Sequence, residues 1–547
     1  MATALTLRAY LLLLLPWVLA GSILPPLDPV QCSTSVGGRF VNCTVTNTHG
    51  SFNDRKPCHA ADAVYPRTEA ELVAAVARAV REKRRAKAAT RHSHSFPKLA
   101  CPGGDGTVIS TARLDRVVRV DAARRRVTVE SGMLLRELVR EAAAAGMALS
   151  CPPNFYGVTV GGLLATGAHG SSLVGKGGAV HEHVVGLRIV TPAPLGRRLA
   201  AVVRELGEDD PDLNAAKVSL GVLGVVSQVT LQLEPLFKRS VTFIKNESDA
   251  DLAEMVAAWG RRHEFGEIVW LPGQGAVVLR KGDRVDVSTP GDGADNNYGP
   301  RPTVDIVRDQ EQEDWLQDAG SDEALCRASR ARLAANELRG FGFINDGESF
   351  TGYPVVGYQH RIQASGACLG EEDAGGLLRE SSSSISSCVW DPRIHGTVIH
   401  NPGFSVALSN LEYFDFRLLM IARPQETVRR KQPALPSRSP NLSVTSDKFF
   451  LPIKFSFVKD RFDPDGVFSS EWSDRVLGRS TVAAAPGCAV DGLCACTDDA
   501  HCAPGYVCSS GKVYPEARVC SAAQPQGAST AQMSIQQVTA VSATSER

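Results

Sequence analysis

Between Val158 and Ser172 the sequence reads VTVGGLLATGAHGSS, with Gly161, Gly162, Gly167 and Gly170 separated by Ala165, Ala168, Ser171 and other small residues. No other stretch restricts the fold as sharply. Residues without bulk let the backbone approach a ligand closely, and their N–H groups can cradle phosphate oxygens. The same composition also builds ordinary tight turns, and spacing alone leaves both readings open. The pattern is not G-x-G-x-x-G and has no P-loop lysine, which disfavours a Rossmann or kinase-like site.

The chain has 547 residues, enough for three or four domains at roughly 150 residues each. Lys+Arg and Asp+Glu both number 59. That balance argues against nucleic acid as the main partner, because phosphate binding needs a basic excess. Glycine and proline follow no triplet period, which excludes collagen. Hydrophobic residues at 43% exclude wholesale disorder.

Arg8 precedes the apolar run Ala9–Ala20, which is followed by Gly21 and Ser22. The run falls short of the ~20 residues a bilayer span needs, so 1–20 reads as a cleaved secretory signal. Of the 14 cysteines, Cys488, Cys494, Cys496, Cys502, Cys508 and Cys520 crowd near the C-terminus. In an oxidising compartment that density predicts a disulfide-stapled module over 481–522. Zinc is disfavoured there, because two clean C-x-x-C pairs are missing. Asn42, Asn246 and Asn441 head candidate glycosylation sequons.

Apolar spacing predicts a helix over 68–83, closed by the basic run Arg81–Lys87, which reads as a solvated helix end rather than a polyanion site. Short strands are expected at 106–111, 116–120 and 126–130, then a helix over 133–145 stopped by Gly146, and a period-two strand at 225–233. Residues 59–236 thus form one α+β domain behind an N-terminal extension, 21–58. A second region, 237–421, carries strand-like pieces at 268–271, 276–280 and 403–411. Residues 422–450 are rich in Pro and Arg and read as a linker, and 523–547 as a disordered tail.

Two His-x-His pairs, His92/His94 and His181/His183, lack a matching third ligand, so a metal is not expected. In VSLGVLGVVSQV (218–229), Gly221 and Gly224 either let the chain pack against a flat ring or mark a close helix–strand contact.

In combination, TRHSHS (90–95), VESGMLLRELV (129–139), SCPPNFYGVTVGGLLATGAHGSS (150–172) and SLGVLGVVSQVTL (219–231) resemble the FAD-binding domain of vanillyl-alcohol-oxidase-type flavoproteins. Within that group the chain is most similar to the plant-type L-gulonolactone oxidases. The likeness continues through 268–287, 352–369, 390–408, RFDPDGVFSSEWSD (461–474) and the cysteine module. It implies an α+β fold: an FAD-binding domain, an α+β substrate (cap) domain, a C-terminal return at 451–480 and a disulfide-rich module. The implied reaction is oxidation of L-gulono-1,4-lactone toward ascorbate, with oxygen or another acceptor. FAD contacts are implied at His94 and Ser95, across Gly161, Gly162, Thr166, Gly167, Ala168, His169, Gly170 and Ser171, and at Gly221, Gly224, Val225 and Val226. His94, rather than His92, is the candidate for a covalent flavin link.

The chain departs from the family between Leu411 and Phe455. The family carries there a segment with a lactone-contacting Glu and Arg, then a His-Trp-x-Lys-type motif near the flavin. Neither is recognisable here, where no His or Trp occurs. The cap domain therefore reads as incomplete, and the catalytic residues are left unassigned.

Overall fold

The computed structural model describes residues 28–34, 40–45, 58–90, 97–153, 158–170, 172, 174–193, 200–271, 275–291, 353–362, 452–477, 479, 499, 506–510 and 518–522. The chain opens with strands β1 (Val30–Thr34), β2 (Phe40–Val45) and β3 (Cys58–Val64). Helix α1 (Glu69–Arg81) follows, and then β4 (Ala86–Ala89) and β5 (Thr107–Ser110). These strands form one sheet in the order β1-β2-β3-β5-β4. The extension before residue 58 therefore supplies two strands to the same sheet as β3, and Cys32–Cys43 and Cys58–Cys101 disulfides fasten it.

Helix α1 forms where the apolar spacing places it. Thr68 caps it by accepting from Glu71 N–H at 3.2 Å, and Glu71 in turn accepts from Arg67 N–H at 2.7 Å. Two orphan donors are thereby satisfied, with acids at the N-terminus and Arg78 and Arg81 in the last turn. Its apolar stripe, Leu72, Val76 and Ala79, is fully buried against Ile109, Val190 and Val225.

A second sheet is built from β6 (Val117–Asp121), β7 (Arg126–Glu130), β9 (Val184–Pro192), β10 (Ala201–Gly207) and β11 (Val225–Gln232). Chain order also gives α2 (Leu135–Ala144), the short β8 (Met147–Ala148), α3 (Val160–Ala165), α4 (Leu213–Lys217) and β12 (Glu234–Pro235). The sheet order is β10-β9-β11-β7-β6, all antiparallel. Strand β11 alternates buried and half-buried residues along its length, as its period-two sequence requires.

Strand β13 (Lys238–Ser248) starts a separate four-stranded sheet. Helix α5 (Leu252–Arg262), β14 (Glu267–Leu271), β15 (Ala276–Val285), β16 (Val355–Tyr358) and the single turn α6 (Gln359–Ile362) complete this unit. Buried Gln359 ties it to the first domain, donating to the Ser150 carbonyl at 2.7 Å while accepting from Arg239 at 3.0 Å. The Arg239 guanidinium in turn lies 3.9 Å from the centre of the Phe265 ring. The expected strand at 403–411, the linker 422–450 and the tail 523–547 lie outside the described residues.

The chain then returns through α7 (Pro452–Phe462) and α8 (Glu471–Val476). Phe455, Val458 and Phe462 join the core under the second sheet, and Val467 and Phe468 join the core under α1. The turn between these helices is pinned by Asp463, which accepts from Lys459 Nζ at 2.5 Å, Val467 N–H at 2.8 Å and Phe468 N–H at 2.7 Å. Ala86 N–H donates to Val467 O at 2.7 Å, so the return covers the outer edge of β4. Lys459 and Asp463 are both buried, and removing one partner of such a pair strands a charge. Asp463→Ala is therefore expected to cost about 3–5 kcal/mol in denaturant unfolding. A loss below ~1 kcal/mol would show that the pair does not hold this turn.

Strands β17 (Tyr506–Ser510) and β18 (Arg518–Ala522) pair in the C-terminal module, where Cys508 is disulfide-bonded.

Candidate functional site

Three chain segments that are far apart in sequence converge on one open cleft. One wall is β4, with Lys87, Ala88 and Ala89. A second is the start and end of α3, with Gly161, Gly162, Ala165 and Thr166. The third is the turn into β11, with Gly221, Gly224, Val225 and Val226. Ser131, Thr111 and Ser219 add hydroxyls between them.

Backbone hydrogen bonds fix this convergence. Gly161 N–H donates to Ser131 O at 2.7 Å, and Ser131 N–H to Ser227 O at 3.0 Å, so α3, β7 and β11 meet at one residue. Leu220 N–H donates to Ala165 O at 2.9 Å, which closes the α3 end onto the β11 turn. A Cβ on Gly161 would lie 3.0 Å from Ser131 Cβ and 3.1 Å from its carbonyl oxygen. Glycine is what permits this approach.

Seven of the candidate residues thus line the cleft. Gly167, Ala168, His169 and Gly170 belong to its continuation but not to its lining. After the left-handed Gly167, Ala168 packs on the core, His169 bridges Ala179, and Gly170 N–H donates to Gly178 O at 2.7 Å. His94, Ser95 and Ser171 lie outside the described residues, as does His92.

The second His pair sits on a buried turn just before β9. His183 Nδ1 is 3.3 Å from the Gln232 carbonyl, which can only accept, so Nδ1 carries the proton. Its Nε2 then accepts from Ser150 Oγ at 3.3 Å. Burial holds the imidazole below its usual pKa, which keeps it neutral in this role.

Sequence reasoning missed most of the polar residues of the cleft, Ser131 and Lys87 among them. Ser131 lies inside the VESGM stretch, whose resemblance was visible without marking the serine itself. Lys87 was read with the basic run as a solvated helix end, and the structure corrects that. Helix α1 stops at Arg81, and Lys87 is 1% exposed inside β4. Its neighbours Ala86, Ala88 and Ala89 favour helix over strand, so the local sequence carries no signal of the buried strand.

The FAD binding domain family matches residues 60–197, which includes two of the three cleft walls. The C-terminal domain of the L-gulonolactone oxidase 2-like proteins matches residues 485–522. Probable L-gulonolactone oxidase 4 of Arabidopsis thaliana is 39% identical over 576 aligned residues, covering 91% of this chain and 96% of its own length. L-gulonolactone oxidase 2 of the same plant is 40% identical over 571, covering 91% and 94%. The chain belongs to the L-gulonolactone oxidase family. Among solved structures, a solvent-stable cholesterol oxidase overlaps 63% of this chain at a TM-score of 0.48 and 16% identity, too slight a likeness to argue from.

Membership in the L-gulonolactone oxidase family makes the chain an FAD-dependent oxidoreductase acting on a small molecule, and the cleft can be tested against that cofactor. Ser131 Oγ is buried in its wall without a hydrogen-bond partner. An unsatisfied buried hydroxyl costs about 1–3 kcal/mol, a cost that a polar ligand in the cleft removes. Small residues on every wall leave room for a flat or extended group. The residues therefore fit FAD, with Ser131, Gly161, Gly162, Thr166 and the Gly221–Val226 turn placed to hold it. Among the described residues no helix is long and apolar enough to cross a membrane.

Proposed function

We propose that this protein is a secreted FAD-dependent oxidase of L-gulono-1,4-lactone or a related aldonolactone, acting at a ring hydroxyl to give an ascorbate precursor. The observation that carries this reading is the single cleft assembled from small-residue segments, in a chain aligned almost end to end with L-gulonolactone oxidases. Bound FAD supplies the electron sink for the hydride, and oxygen or another acceptor reoxidises it. The chain's own task is to hold and orient. Its cleft offers the hydroxyls of Thr90, Thr111, Ser131, Thr166 and Ser219, and the buried Lys87. Among the described lining residues there is no carboxylate or imidazole to serve as a base for the lactone hydroxyl.

The sequence between Leu411 and Phe455, without His or Trp, supports a slower enzyme than the relatives. The alignment with the first relative is longer than this chain, so it includes residues with no counterpart here. The family's Glu/Arg segment and His-Trp-x-Lys-type motif are what 411–455 lacks. Secretion is supported by the disulfides Cys32–Cys43 and Cys58–Cys101, bonds that persist in oxidising compartments.

The reaction class is tested without oxygen. L-gulono-1,4-lactone in excess is expected to bleach the bound flavin slowly, and a sugar without the lactone ring is not. An unbleached flavin, together with no turnover on dye or oxygen, would overturn the reading. By the family resemblance, a covalent flavin link is carried by His94. Replacing His94 by Ala is expected to move the flavin into the acid-soluble fraction, whereas His92→Ala leaves it attached. Flavin that is wholly acid-extractable from the unaltered protein contradicts the link.

A further inference from the structure

Lys87 is an expensive residue to place where it is. It is fully buried in the wall of the cleft, on an edge strand whose other residues are alanines. Its Nζ donates to Phe468 O at 3.1 Å and to Gly221 O at 3.3 Å. The first carbonyl belongs to the C-terminal return, whose turn is pinned by Asp463. The second belongs to the turn that forms the third wall of the cleft. We propose that Lys87 is a positioning residue for FAD: its ammonium clamps the Gly221 turn to the C-terminal return and sets a positive charge in the cleft wall. This rests on the reading that the cleft holds the flavin.

The physical case begins with the carbonyls. A charged donor makes hydrogen bonds roughly twice as strong as a neutral one, so the clamp is strongest while the ammonium keeps its proton. The charged groups facing Lys87 are Lys459 and Asp463 at the end of α7, and Asp474 on α8. Desolvation first, and Lys459 second, push the Lys87 pKa down to about 7, against the pull of the two aspartates. Unfolded, the same lysine keeps its proton to about pH 10.4. Between those values the unfolded chain binds more protons, so stability rises with pH there, and the penalty for burying Lys87 is fully present below pH 7. Of its two carbonyl partners, Gly221 lines the cleft and Phe468 lies on the return, so the clamp acts on the third cleft wall.

The test follows the flavin absorbance of the holoprotein from pH 5.5 to 9, for the unaltered chain and for Lys87→Met, which keeps the side chain's length and removes its charge. The unaltered chain is expected to show a one-proton spectral transition at or above pH 7, since a charge that favours bound flavin is favoured by it in return. Lys87→Met is expected to lose that transition and to carry about tenfold less flavin per chain when purified at pH 6. Its melting temperature at pH 6 should not fall, since the desolvation penalty is gone. A role in stability alone would instead lower the melting temperature and leave the flavin spectrum without a proton-linked change. Should the Met variant not fold, Lys87→Gln keeps an amide donor without the charge and is expected to lose the transition as well. A spectrum flat from pH 5.5 to 9 in the unaltered holoprotein, or a variant matching it in both transition and loading, would overturn the proposal. An unaltered chain that binds no flavin would overturn the cleft reading itself, and the clamp with it.

Discussion

At saturating L-gulono-1,4-lactone, this chain should turn over at least about a hundredfold more slowly than a relative with an intact 411–455 region assayed beside it. Moving a hydride from a ring carbon needs the hydroxyl proton taken and the sugar held to within about half an ångström. By the family resemblance, the lactone-contacting Glu and Arg and the His-Trp-x-Lys-type motif belong to a stretch that 411–455 does not reproduce recognisably. Replacing residues 422–450 by the relative's corresponding segment should recover most of the rate. Turnover comparable to the relative's without that replacement would mean that the site is built from other residues.

Gly224→Ala should be severely damaging to the cofactor domain. Gly224 sits at φ +149, and a Cβ there would lie 2.4 Å from Val190 O and 3.1 Å from Thr191 Cγ2. Both obstacles belong to β9, which is hydrogen-bonded to β11 with Val225 opposite Val190. The turn cannot yield without parting the two strands that carry the cleft. Combining a backbone region almost reserved for glycine with a clash against backbone predicts a loss of about 4 kcal/mol, and flavin content should fall at least about tenfold. Gly221→Ala is the control. Gly221 has φ +62, but a Cβ there meets no atom within 4 Å, so only the left-handed strain of about 1–2 kcal/mol applies. Equal thermal and flavin losses in the two variants would show that the contact with Val190 does not matter.

The elements whose apolar period matched a regular structure were readable from sequence. Helix α1 and strand β11 bury the residues that their spacing selects. Two of the three cleft walls were readable as separate small-residue stretches, but only the resemblance joined them, because convergence depends on sheet order that spacing does not encode. Strands β1 and β2 were hidden in a cysteine-bearing lead-in whose pairing partners lie further along the chain. Strand β15 runs to Val285, beyond the apolar stretch 276–280, because Lys281–Val285 pair residue by residue with β13. Lys87 was masked by its basic neighbours: charge in a run suggests solvent, and only the tertiary position of β4 shows otherwise.

The central claim is that one folded cleft, assembled from β4, α3 and the turn into β11, holds FAD. The direct measurement is flavin per chain, from absorbance after gel filtration of protein made in a secretory host. The account predicts a yellow protein with close to one FAD per folded chain, and a loss of that colour in Gly224→Ala. A folded, colourless protein that takes up no FAD on titration would contradict it.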